Sequence, residues 1–296
     1  MNASYTIVVD STTDLPPNLA EEWGLTVIPY IFTLDGKEYY NYLDYRQMSV
    51  GDFYNALREG KMGSTTQVTF NRYLETWEPI LQEGKDVLYM CLSSALSKSY
   101  EQSVLAAKEA AEKYPDRKVI TIDSKSASLG QGLLAYYSAK YRDEGKSLEE
   151  NAAAIESIIP KLQHWVMADD LHHLRRGGRV SGASAFVGSM LNIKPILSIL
   201  EDGRLAPLHK VRGRNKALAH FIEEMGKTGF NPKDQKVFIA HSDASDLAEQ
   251  LRKMISDKFG TKDFVVNYIG PVIGAHTGPG TLAFMYLGDG PRQTGN

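Results

Sequence analysis

A chain of 296 residues with 43% hydrophobic and 23% charged residues has the balance of a soluble globular protein and the length of about two domains. Its formal net charge of -3 and pI near 6.2 exclude a general polyanion binder, so no nucleic-acid partner is expected. A single cysteine, Cys91, rules out an intramolecular disulfide and suits a reducing cytoplasm. Neither a basic-then-apolar leader in MNASYTIVVDST nor an eighteen-residue apolar run is present, so a cytoplasmic protein is expected.

Residues 5–9 (YTIVV) read as a short strand ending in the polar tip Asp10-Ser11-Thr12-Thr13-Asp14, and Pro16-Pro17 opens a helix through Trp23. Residues 25–34 (LTVIPYIFTL) read as a second strand before an Asp35-Gly36 turn. Ser49 is placed to cap a helix over 49–59. Residues 63–67 (GSTTQ) form a hydroxyl-rich loop before a helix over 70–81. The run 87–92 has the length and apolarity of a buried strand and breaks into Ser93-Ser94-Ala95-Leu96-Ser97-Lys98-Ser99. A helix over 100–113, a strand over 119–122 and a helix over 132–141 follow. Strand, polar tip and helix, three times over, predict a parallel sheet covered on both faces. Ligands bind such sheets beyond the carboxyl ends of the strands, where the hydroxyl-rich tips fall.

A helix over 148–162 leads to His164-Trp165-Val166-Met167, and the boundary is set here: an N-terminal α/β domain over 1–163 and a C-terminal one over 164–296. Beyond it a helix over 171–175 stops at Gly177-Gly178, and residues 194–200 and 205–212 form a hairpin about Asp202-Gly203. A helix over 215–225, a strand over 237–240, a helix over 245–259, a strand over 264–269 and a last strand over 282–287 complete a domain that mixes antiparallel pairing with helices. Residues 272–281 (VIGAHTGPGT) hold His276 and Thr277 in a glycine-rich loop of the kind that cradles an anion.

The chain lacks GxxxxGK[ST], and GxGxxG does not follow its first strand, which disfavours those two modes of nucleotide binding. Adjacent His172-His173 do not share a helical face, and no further ligands at zinc spacing stand out, so neither metal nor cofactor is expected. GxSxG is absent, yet a serine-dependent hydrolase or transferase acting on an acyl compound, with Ser93 or Ser94 as nucleophile and His276 as base, remains the enzyme alternative. What accumulates is a set of donors: Thr65 and Thr66, Ser93 and Ser94, Arg179 in RRGGRVSG, Arg212 in KVRGR, and His276 with Thr277. Each has a plainer explanation, since hydroxyls after strands cap helices, Arg179 follows a glycine helix stop and Arg212 can pair on the surface.

Taken jointly, these segments resemble the DegV family, which includes the fatty-acid-binding subunits of bacterial fatty acid kinase. The resemblance runs from Val8 to Gly288 through VVDSTTDLP, STTQ, LSSALSKSYEQS, LRRGGRVSG, NIKPILSILEDGRL, KVRGR and GAHTGPGT. Two departures stand out: Val68 where the family has proline after Gln67, and Lys98-Ser99 where it has Gly-Thr. The resemblance implies two α/β domains with an acyl chain held between them, its carboxylate turned toward the hydroxyls and His276. It implies a long-chain fatty acid as ligand, a separate ATP-dependent kinase catalytic subunit as partner, and a transient contact with a membrane surface. In the resembled subunits the arginine at the position of Arg212 is linked to activity with the kinase. An acyl chain of about fourteen methylenes offers roughly 11 kcal/mol of gross burial to offset removing a carboxylate from water. The apolar runs 185–191 and 193–200 are candidate slot linings.

Overall fold

The computed structural model describes residues 4–169, 171–181 and 192–294. Strand β1 (Tyr5–Asp10) sends Ile7 and Val9 into one core and Val8 into another, so both its faces are buried, as a parallel strand between two layers requires. Helix α1 (Pro17–Glu22) starts on a proline, where a missing N–H costs nothing. The expected strand over 25–34 is two. Pro29 separates β2 (Leu25–Ile28), which pairs parallel with β1, from β3 (Tyr30–Leu34), because proline has no N–H to give a ladder. Strand β3 turns at Asp35-Gly36, both with positive φ, into β4 (Lys37–Asn41). Helix α2 (Val50–Arg58) is capped by the Ser49 hydroxyl. Residues 63–66, expected in a loop, form β5 (Gly63–Thr66), which pairs antiparallel with β3 and completes a three-stranded sheet β4-β3-β5. Helix α3 (Phe70–Gln82), β6 (Asp86–Cys91), α4 (Ser99–Lys113) and β7 (Val119–Asp123) then finish a parallel sheet of order β2-β1-β6-β7.

Helix α5 (Leu129–Asp143) is followed by α6 (Leu148–Ile158), started by a capping box of Ser147 and Glu150. The helix expected over 148–162 gives way to a tighter turn at Pro160, and β8 (Leu162–Met167) begins the larger sheet. Helix α7 (Leu171–Gly177) precedes the hairpin β9 (Ile193–Ile199) and β10 (Leu205–Arg212) about Asp202-Gly203. Then come α8 (Arg214–Thr228), β11 (Val237–His241), α9 (Ser245–Phe259), β12 (Phe264–Tyr268), α10 (Pro271–Thr277) and β13 (Leu282–Leu287). The sheet order is β10-β9-β8-β13-β11-β12, with β11 and β12 parallel and the other neighbours antiparallel. The candidate lining 185–191 lies outside the described residues. No described helix is long and apolar enough to cross a membrane.

The expected loop over 272–281 is half helix. Pro271 starts α10, the helix runs through Thr277, and the turn begins only at Gly278, whose φ is 79°. Gly274 sits inside this helix because a Cβ there would lie 2.5 Å from the Tyr54 hydroxyl. One of the glycines read as loop punctuation thus serves helix packing.

Helix α5 is the layer shared by the two larger sheets. Residues 129–135 are all buried, and the helix packs on β1 and β6 on one side and on β11 and β13 on the other. Its Leu133 and Leu134 join Ile7, Met90, Phe238 and Met285 in one continuous core. At its start the Ser128 hydroxyl donates to Asp14 Oδ2 at 2.6 Å, and the Gly270 backbone lies against the same carboxyl. Burial pushes the Asp14 carboxyl from an ordinary 3.8 up to about 8, against the contacts of Ser128 and Gly270. The folded chain therefore holds this proton more tightly than the unfolded chain. Stability from this group is full below the unfolded value and falls as pH rises toward about 8. Asp14→Asn keeps an oxygen for Ser128 and cannot ionise. Its melting temperature relative to the parent is expected to improve between pH about 5 and about 9, which thermal unfolding across that range checks.

Candidate functional site

A cavity of about 570 Å³ lies between the carboxyl ends of the parallel sheet and one face of the larger sheet, within the size range of small-molecule sites. Val166, Ile199, Leu205, Ala283 and Met285 form the wall on the larger sheet, and Leu92, Leu96, Ala127, Val272 and Ile273 face them. Strand alternation produces the first wall: on β13, Ala283 and Met285 turn toward α5 while Leu282, Phe284 and Tyr286 turn into the outer core.

His276, near the end of α10, makes the polar end of this cavity. Its Nδ1 is 2.8 Å from the Gly177 carbonyl oxygen and its Nε2 is 2.8 Å from the Thr65 hydroxyl. A carbonyl only accepts, so Nδ1 carries a proton, and in the neutral ring Nε2 accepts from Thr65. Burial holds the imidazole pKa below its ordinary value; the Gly177 carbonyl opposes this, and Arg179 and His173 reinforce it. Three elements therefore meet on one ring: α10 supplies it, β5 brings Thr65, and the end of α7 brings Gly177. The approach requires glycine, because a Cβ at position 177 would lie 2.5 Å from the His276 carbonyl oxygen and 2.8 Å from its Cα.

The other expected donors divide. Thr66, Thr277 and Arg179 line the same cavity as Thr65 and His276. The Thr277 proton is committed to the Ile273 carbonyl at 3.2 Å. Arg179 is exposed, and its guanidinium lies at the limit of hydrogen-bond reach from the Gly177 carbonyl, 3.5 Å. Ser93 and Ser94 do not join them. The Ser93 hydroxyl donates to the Gly203 carbonyl at 2.8 Å, and that of Ser94 to Asp123 Oδ2 at 2.5 Å. Neither serine lines the cavity, so the structure does not bring these two expected donors to it. In their place Ser97 and Lys98, a few residues on, line the cavity with Tyr30 and Ser128. The Tyr30 hydroxyl donates to Ser99 Oγ at 2.6 Å, and Ser97 Oγ lies 3.0 Å from the same atom. Residues 93–99 hold four serines, and nothing in that run marks the third as the one facing the cavity.

Arg212 stands apart. It is exposed at the end of β10, in a shallow groove with Asn192, Lys194, Arg214 and Lys216. Lys194 and Arg214 are both paired with Asp169, whereas no described residue pairs with the Arg212 guanidinium. Among the described residues no three His, Cys, Asp or Glu side chains come together as metal ligands.

Residues 4–289 match the profile of a family of uncharacterised proteins called DegV. A DegV domain-containing protein of Clostridium perfringens is 42% identical over 285 residues, covering 96% of this chain and 98% of that one. Among solved structures, a fatty-acid-binding DegV family protein from Thermus thermophilus is similar with a TM-score of 0.86 and 29% identity, over 96% of this chain and 99% of that one. DegV from Bacillus subtilis, described as a fatty acid binding protein, is similar with a TM-score of 0.83 and 26% identity, over 97% and 100% of the two chains.

Gly177→Ala tests the close approach that orients His276. Overpacking of this kind costs about 1–3 kcal/mol, and the methyl group has backbone on the other side rather than a movable side chain. The expected result is a loss of that size in chemical denaturation, with α7 shifted away from α10.

Proposed function

Because the chain belongs to the DegV family, we propose that it binds a long-chain fatty acid in the cavity and presents the carboxylate to a separate ATP-dependent fatty acid kinase. The observation that carries the reading is an apolar cavity whose polar end is built from His276, Thr65 and Arg179. The acyl chain is held by the two apolar walls, and burial at about 0.8 kcal/mol per methylene supplies the affinity. The head group needs donors once water is removed. Arg179 offers a permanent charge, and Thr65, Thr66 and Ser97 offer hydroxyls. The two departures from the family pattern touch each other: the Val68 N–H donates to Ser99 Oγ at 3.0 Å, a bond that proline at 68 could not make.

The serine-hydrolase alternative gains no support from this geometry. Among the described residues the partners of His276 are Thr65 and Gly177, while Ser93 and Ser94 are bonded elsewhere. The kinase half of the proposal rests on the family resemblance and on the exposed Arg212, whose planar charged fork suits a phosphoryl group or an acidic partner surface.

Protein purified without delipidation is expected to release free fatty acid on organic extraction, and native mass spectrometry reads the bound mass. Thr65→Val and His276→Ala are expected to weaken binding by about 1–3 kcal/mol each. A preparation that carries no acid and fails to bind added oleate overturns the carrier reading.

Arg212→Ala is expected to leave fatty-acid affinity unchanged and to lower kinase-coupled acyl phosphate formation at least about tenfold, the loss of one charge-assisted contact. Unchanged turnover with the arginine gone removes its role.

A further inference from the structure

Donors and acceptors around His276 do not balance for an anionic guest, and backbone sets the imbalance. The Gly177 carbonyl, 2.8 Å from Nδ1, has only lone pairs to offer, so one imidazole proton stays there whether the ring is neutral or charged. In the neutral ring Nε2 is bare and takes the Thr65 hydroxyl proton across 2.8 Å. Thr65 has no second proton. Its oxygen then offers the cavity lone pairs alone, which repel a carboxylate. A proton added to Nε2 reverses the chain: Nε2–H donates to the Thr65 oxygen, and the Thr65 hydroxyl is released to donate to the guest.

We infer that this site takes up one proton from solvent for each carboxylate it binds, and that the proton resides on His276 Nε2. The inference rests on the fatty-acid reading above. No covalent bond other than N–H forms, and the bound anion and the new imidazolium cancel in charge.

The groups around the ring agree with this linkage. From α7 come His173, whose Nε2 lies 2.9 Å from the Ala275 carbonyl oxygen, and the exposed Arg175 and Arg176; Arg179 follows. Asp14 lies against Gly270 at the start of α10. From α2 comes Tyr54, bonded to Ser242 and to the Ile269 carbonyl. Tyr30 and Lys98 line the cavity. Burial keeps the empty ring neutral, and Arg179 and His173 add to that effect. A carboxylate in the cavity offsets the Arg179 charge and favours the imidazolium. The pKa is thus low in the empty form and higher in the loaded form. Between those two values affinity falls about tenfold for each unit of rising pH.

Isothermal titration of the delipidated protein with oleate, in buffers of different ionisation enthalpy, counts the protons. Imidazole 15N resonances of the unmodified protein locate them. The expected result is about one proton taken up per oleate, with Nε2 passing from bare to protonated and Nδ1 unchanged. His276→Gln is expected to bind more weakly and take up none. Saturable binding without uptake overturns the inference and leaves the fatty-acid reading standing, because Thr65 then simply turns its proton to the guest. Uptake with Nε2 still bare puts the proton on the lipid and overturns the assignment to the imidazole, as does uptake that persists in His276→Gln. No saturable binding at any pH overturns the fatty-acid reading and this inference together. Should His276→Gln fail to fold, the 15N measurement on the unmodified protein decides alone.

Discussion

Seven consecutive buried residues at the start of α5, 129–135, leave that stretch of the helix no face for water. A stretch of helix buried all round must be enclosed, and here a parallel sheet and a mixed sheet enclose it from opposite sides. The cavity follows from that arrangement. Where α5 begins, the strands of the parallel sheet end, and the space between them and the larger sheet is lined by Ala127 and Ser128 on one side and Val166 and Met285 on the other. Gln131 ties this junction down. Its Oε1 lies 2.9 Å from the Thr12 hydroxyl oxygen and its amide donates to the Met90 carbonyl at 3.0 Å, joining the helix to the tips of β1 and β6.

Around the same tips lies a buried polar network that the cavity does not reach. Asp10 accepts from the Thr12 N–H and hydroxyl, from the Tyr89 hydroxyl at 3.0 Å and from the Leu92 N–H at 3.2 Å. Burial raises its pKa while these donors oppose the shift. A buried carboxylate with several donors rigidifies what it joins, and what it joins is the start of the segment carrying Ser97 and Lys98. The polar residues after β1, which resemble ligand donors in sequence, serve as scaffold for those after β6.

Neutral His276 and buried Asp14 share a physical cause. Each is removed from water beside the cavity, and each shifts toward its uncharged form, the imidazole downward and the carboxyl upward. The exposed cations Arg179 and Lys98 remain at the same cavity, so its polar end favours an anion even before a proton is added.

Apolar runs, helix caps and the Asp-Gly turn were legible in the sequence because they are local. The apolar runs of β1 and β6, the Ser49 cap and the hairpin about Gly203 depend on residues close together in the chain. The resemblance of ordered motifs named the family, since so many short matches in register do not arise by chance. Thr65, Thr66, Arg179, His276 and Thr277 were named as donors, and the structure places all five along one cavity. Their partnership was not legible, because Thr65 and His276 are 211 residues apart and Gly177 and His276 are 99 apart. The partners of Ser93 and Ser94 were not legible for the same reason. Their protons go to Gly203 and Asp123, which only sheet packing brings near. The glycines of 272–281 read as a loop because a glycine that admits a neighbouring hydroxyl and one that permits a left-handed turn look alike until the Tyr54 ring is in place. Composition and local periodicity thus determined the elements and the donor types. Which donor still had a proton to give was decided by tertiary structure, since hydrogen-bond partners are chosen across space and each hydroxyl has one proton.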